Sequence, residues 1–140
     1  MPSRQQLKEL AKLRLREAEV LFDAGLYDGV SYLSGYVIEL ALKARICRIL
    51  NVPEYPATGN YGKVYAVHNF EQLKFLAGLS GKISLLDTPE LFENWSIAIP
   101  WGPERRYAAP GTCTKESAED ILNAIRDKEH GVLSWIKRYW

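Results

Sequence analysis

The sequence predicts an all-α fold: an up-and-down bundle of three long helices and two short ones, in a single domain spanning residues 1–140. Three observations carry that expectation. Long stretches repeat their apolar residues at the 3.6-residue period. Segments rich in Pro, Gly and Asn punctuate them. No run reads as a strand with a partner: "GKVYAV" alternates, but a lone strand has nothing to pair with.

The first helix lies in "SRQQLKELAKLRLREAEVLFDAG". Ser3 and Gln6 have the spacing of a capping box, and Gly25 suits the stop. Leu7, Leu10, Ala11, Ala18, Leu21 and Phe22 form its core stripe. Leu13, Val20 and Ala24 form a second, weaker apolar stripe, which points to a further contact such as a second subunit. Asp28 is placed to cap the second helix, which runs to about Leu50. That helix is apolar nearly all the way round: Val30, Leu33, Val37, Leu40, Ala41 and Ala44 on one side, Ile38, Leu42, Ile46 and Ile49 on another. It is therefore expected at the centre of the bundle.

"NVPEYPATGNYG" then reads as loop. "HNFEQLKFLAGL" is a short helix capped by Asn69 with Gln72, and "DTPELFENW" another with Thr88 as cap and Pro89 at its first position. "SIAIPWGPERRYAAPGTC" holds three prolines and two glycines and reads as a long loop. The last helix is expected from near Thr114 towards Trp140, with Gly131 loosening it locally.

Composition excludes more than it names. Lys plus Arg number 18 and Asp plus Glu 17, a formal net charge of +1, so bulk charge does not mark a nucleic-acid binder, although a local basic patch would. Cys47 and Cys113 show no paired spacing, which argues against a disulfide framework or a zinc cluster. No cofactor or metal is implied. The charged first segment does not read as a signal peptide, and no apolar run approaches membrane-spanning length, so a cytoplasmic protein without a membrane partner is expected.

The chemistry concentrates in "YLSGYVIELALKARI". At about 100° per residue, Tyr32, Tyr36, Glu39 and Lys43 fall within roughly 60° of one another on an otherwise apolar helix. An acid four residues before a base is the favourable order. In a buried setting such a pair needs further polar partners or a wet cleft, and Arg105, Arg106 and Tyr107 on the long loop are candidates. Trp95 and Trp101 flank that loop and could stack a base beside those cations, or pack the loop onto the bundle. The Tyr32–Lys43 line itself reads either as a ligand site or as a buried polar network that fixes register.

The blocks "REAEVLFDAGLYDGVSYLSGYVIELALKARI", "HNFEQLKFL", "ERRY" and "WIKRYW", in this order over nearly the whole chain, resemble HEPN domains. The resemblance implies a small helical bundle, commonly a homodimer. It also implies a nucleotide or RNA ligand and a possible minimal nucleotidyltransferase partner in a toxin–antitoxin arrangement. By that resemblance Glu39, Lys43, His68, Arg106 and Tyr107 match family positions. HEPN ribonucleases carry an Arg, four to six residues, then a His. Here "RDKEH" places only three residues between Arg126 and His130, so the nuclease pattern is not met. One helical turn would still let that pair share a face, stabilise a phosphorane and move a proton; two solvated residues is the plainer reading. His68, before a helix cap, is a further candidate base. Three readings follow: a nucleotide- or RNA-binding module, a metal-independent ribonuclease toxin, and a structural helical dimer without catalysis.

Overall fold

The computed structural model describes residues 1–140 and is entirely helical, without strands. The helices are α1 (Arg4–Asp23), α2 (Tyr27–Leu50), α3 (Gly62–Tyr65), α4 (Phe70–Leu76), α5 (Pro89–Ala98), α6 (Lys115–Arg126) and α7 (Val132–Lys137). Two 3₁₀ turns, Ser80–Lys82 and Pro103–Tyr107, complete the regular structure.

α1 begins at the predicted capping box, with Ser3 Oγ accepting from Gln6 N–H and Gln6 Oε1 from Ser3 N–H. Gly25, in the left-handed region at φ 76°, turns the chain. α2 then runs back against α1, and Arg4 N–H donates to Pro53 O just beyond its far end. Asn51 closes α2 in the left-handed conformation.

α2 is the central element, as its apolar circumference predicts: 12 of the 36 buried residues belong to it. The main core joins its middle to Leu7 and Ala11 of α1, Phe70 and Leu73 of α4, Trp95 of α5, Ile125 of α6 and Trp135 and Ile136 of α7. A smaller cluster of Ala18, Val30, Ala118 and Leu122 closes the other end. Ile49 departs from the expected lining, being exposed at the end of α2. Leu13 and Val20 on α1 and Ala24 at its C-terminal cap lie exposed.

Four local expectations are corrected. Asp28 does not cap α2; its carboxylate accepts instead from Gly111 and Cys113 N–H. Thr88 does not cap α5, because its hydroxyl is engaged with both the N–H and the C=O of Ser84. The segment 96–113 is not all loop: α5 extends to Ala98, and Pro103 starts a 3₁₀ turn. The last helix is not continuous. It stops at Arg126, Asp127 turns extended at ψ 132°, and Asp127 Oδ2 gathers the Glu129 and His130 N–H groups. Gly131 then starts α7, where a Cβ would meet Asp127 O at 2.3 Å. The glycine supplies room for a chain reversal, not a loosened helix.

Candidate functional site

The site is built on the N-terminal half of α2 and on the segment that follows α5. What brings them together is the seating of an indole where a side chain is missing. Gly35 sits mid-helix, where glycine is normally unfavourable by about 0.5–1 kcal/mol relative to alanine. A Cβ there would lie 1.9 Å from the Trp101 ring. Trp101 thus lies flat on the α2 backbone, stacks on Phe70 at 5.4 Å and 5°, and donates its Nε1–H to Tyr32 O at 3.0 Å. Trp95, in turn, is buried and donates to Glu71 Oε1 at 2.8 Å. Both indoles are packing groups, so neither is free to stack a base.

With Trp101 fixed, the Pro103–Tyr107 turn delivers its arginines beside α2. Arg105 Nη1 donates to Ser31 Oγ at 2.5 Å and Nη2 to Pro100 O at 2.8 Å. Arg106 lies over the exposed Tyr107 ring at 4.8 Å. Neither guanidinium has a carboxylate within salt-bridge distance. Asp28 ties the far end of the segment down through Gly111 N–H at 2.6 Å and Cys113 N–H at 2.8 Å. These two donors, Cys113 first, hold its carboxyl below the usual carboxylate range. Between α2, this segment and the start of α6 lies a cavity of about 550 Å³, its polar lining made by Asp28, Ser31, Tyr32, Arg105, Arg106, Thr112 and Ser117. Cys113 also borders it, with a thiol pushed up by burial and hence protonated at neutral pH.

The line predicted on α2 leads away from this cavity. The Tyr32 and Tyr36 hydroxyls are 3.5 Å apart and their rings meet edge to face. Burial, the Tyr32 hydroxyl and the Glu39 charge push the Tyr36 phenol up to about 12. Glu39 is buried at 3 % exposure and accepts from Lys43 Nζ at 2.7 Å. Lys43 also sits over the Tyr55 ring at 5.1 Å. The remaining partner is His68, whose Nδ1 lies 2.9 and 3.0 Å from the two Glu39 oxygens. A carboxylate only accepts, so Nδ1 carries the proton and a neutral ring presents Nε2 as the basic atom. The His68 side chain is half exposed, whereas that of Glu39 is not.

The sequence places Glu39 with Lys43 and offers Arg105 and Arg106 as further partners; the structure turns those arginines towards the cavity and gives Glu39 His68 instead. Histidine and carboxylate are 29 residues apart, and no local spacing signals their meeting. Gly35 did carry a signal, because a glycine inside a helical pattern often marks a close approach.

Arg126 and His130 do not share a helical face, because the Asp127 turn separates them. Arg126 pairs with Glu19 at 3.0 Å on α1, and His130 lies 3.6 Å from Glu129. His130 borders a shallow depression with Glu90, Glu93, Asp120 and Asp127. Four carboxylates there disfavour an approaching phosphate. No family model, no curated protein and no solved structure matches the chain.

Proposed function

We propose that the chain is a HEPN-like binding module that holds a nucleotide, free or as part of an RNA, in the cavity between α2 and the Pro103–Tyr107 turn. The observation that carries this reading is the pair of guanidiniums without carboxylate partners, facing hydroxyl groups around a volume of about 550 Å³ whose one carboxylate, Asp28, is engaged by the Gly111 and Cys113 N–H groups. That volume falls within the usual range for small-ligand sites. Planar guanidinium forks suit phosphate, and Ser31, Thr112, Ser117 and the Tyr32 phenol suit a ribose and a base edge. The exposed stripe of Leu13, Val20 and Ala24 supports a homodimer, and a minimal nucleotidyltransferase in a toxin–antitoxin pair is the partner the resemblance implies. A cytoplasmic setting belongs to the same reading.

Calorimetric titration with ribonucleoside mono-, di- and triphosphates tests it. Binding should be seen, and Arg106→Ala should weaken it about tenfold or more, the range for a charge-assisted hydrogen bond. No heat with any nucleotide at millimolar concentration would end the proposal.

One observation favours a second reading, a metal-independent ribonuclease. His68 is fixed by a buried carboxylate and leaves its other nitrogen in a half-exposed position, the arrangement of an oriented general base. On this reading EDTA-resistant cleavage of RNA is lost in His68→Ala and retained in His130→Ala. Retention of cleavage in His68→Ala would remove it.

A further inference from the structure

At the other end of α2 lies a group of cations that the cleft does not use. Arg4, Lys8 and Lys12 recur every four residues along the first half of α1. Arg45 and Arg48 come up beside them from the end of α2, and Lys137 from the end of α7. They converge on Tyr139 and Trp140: the Lys8, Lys12 and Lys137 ammonium groups stand 5.7, 5.9 and 6.0 Å from the Trp140 ring centroid, while Arg45 lies over the Tyr139 ring and donates also to Ala77 O. Arg4 and Arg48 donate to the main-chain oxygen of Trp140, and Arg45 and Arg48 to that of Tyr139. Carbonyl partners satisfy N–H groups but leave the charge in place. No Asp or Glu lies within salt-bridge distance of any of the six. Even a full negative charge at Trp140 would leave the cluster strongly positive.

This arrangement opposes stability on α1. Like charges at i,i+4 are unfavourable by a few tenths of a kcal/mol each. Cations also sit badly near a helix N-terminus, and the first turn of α1 holds no acid to offset them. The Lys8 ammonium is lowered from its ordinary value, first by burial and then by Arg4, Arg48 and Lys12. Aromatic and carbonyl groups hold the repelling cations together. A third of the chain's 18 cations are thereby gathered on one surface of a protein with a net charge of only +1, so the remainder is net acidic.

We infer that this surface binds the sugar–phosphate backbone of a single-stranded nucleic acid, separately from and independently of the cleft. The cations on α1 rise about 6 Å per step, comparable to the spacing of successive phosphates along a strand. Arginine forks and lysine point charges supply the two usual modes of phosphate recognition. The Trp140 ring is occupied by ammonium groups, so it is not free to stack a base. Recognition is therefore of backbone, not sequence, and RNA and DNA of one sequence bind alike.

The test is fluorescence anisotropy of labelled single-stranded RNA, and of DNA of the same sequence, against salt concentration. The wild type should bind both at low salt, with log K falling linearly in log salt. The triple variant Lys8→Gln/Lys12→Gln/Arg48→Gln should bind at least tenfold more weakly, and its slope should shrink by about two, near 0.7 for each phosphate no longer neutralised. Circular dichroism of the variant should show wild-type helicity and a cooperative thermal transition well above the assay temperature, which separates weakened binding from impaired folding. An unchanged slope in the triple variant would overturn the inference. So would absence of binding by the wild type, or a slope reduced by Arg106→Gln instead, which would return the nucleic acid to the cleft. Binding confined to phosphatidylserine vesicles would also overturn it, by assigning the surface to a membrane.

Discussion

At the residue scale, Glu39 and Gly35 carry the largest consequences. Glu39→Ala leaves Lys43 partly buried and His68 without its anchor. The expected cost is about 3–5 kcal/mol, the usual result of breaking a buried pair from one side. Urea unfolding measures it, and a loss under about 1 kcal/mol would mean that water replaces the carboxylate without difficulty. His68→Ala should cost less, about 1–3 kcal/mol, because that ring is half exposed and Lys43 still pairs with Glu39, so its effect on activity is read beside its thermal midpoint. Gly35→Ala reverses the ordinary sign of a helix-interior substitution. Alanine would stabilise a bare helix, but here its methyl group would sit 1.9 Å from Trp101. Destabilisation of about 1–3 kcal/mol is expected, together with loss of nucleotide binding. The sequence made the Glu39–Lys43 half of this geometry legible, because i,i+4 spacing is local. It could not show His68, whose pairing depends on where α4 docks.

At the element scale, the loop anchor beside the site and the α6–α7 turn both depend on Asp side chains that gather backbone donors. Asp28 holds Gly111 and Cys113, and Asp127 holds Glu129 and His130. Asp residues at such positions resemble helix caps in sequence, which is why Asp28 reads as one. The long-range partner outcompeted the local role. Because its carboxyl is held below the ordinary 3.8, the Asp28 contribution is complete above that value. It is lost only as pH falls below about 4 and through the lowered value, when the carboxylate gains its proton. Limited trypsin digestion reports this anchor through the Arg105 and Arg106 bonds. Asp28→Asn should be cut faster than wild type at neutral pH; equal rates would show the anchor to be dispensable. Gly131→Ala should be destabilising by about 1–3 kcal/mol, since its Cβ would meet backbone rather than a yielding side chain. A neutral effect in thermal unfolding would mean that the α6–α7 turn adjusts freely.

At the scale of the whole molecule, the central place of α2 was legible because a helix apolar on all sides has nowhere else to go. The broken last helix was not, since Ala118, Ile121, Leu122, Ile125, Val132 and Ile136 keep helical spacing through the turn as though uninterrupted. The same limit applied to charge: a net +1 concealed a cationic end and an acidic remainder, because α1, α2 and α7 contribute to one surface from distant parts of the sequence. The apolar stripe of Leu13, Val20 and Ala24 stays uncovered in the single chain. Light scattering at micromolar concentration should give a dimer mass, and Leu13→Glu/Val20→Glu should give a monomer. A monomeric wild type would leave that stripe without its expected occupant.

The attachment of the arginine-bearing segment to α2 also has a kinetic consequence. Its hydrogen bonds with α2 span 69 residues at Trp101, 74 at Arg105 and 83 to 85 at Asp28. Interactions that close such long loops are expected to form after the local α1–α2 hairpin has packed. Substitutions there should therefore leave the refolding rate nearly unchanged and speed unfolding. In stopped-flow measurements the whole effect of Gly35→Ala is expected in the unfolding arm, so the cleft would be the last part of the molecule to assemble and the first to open.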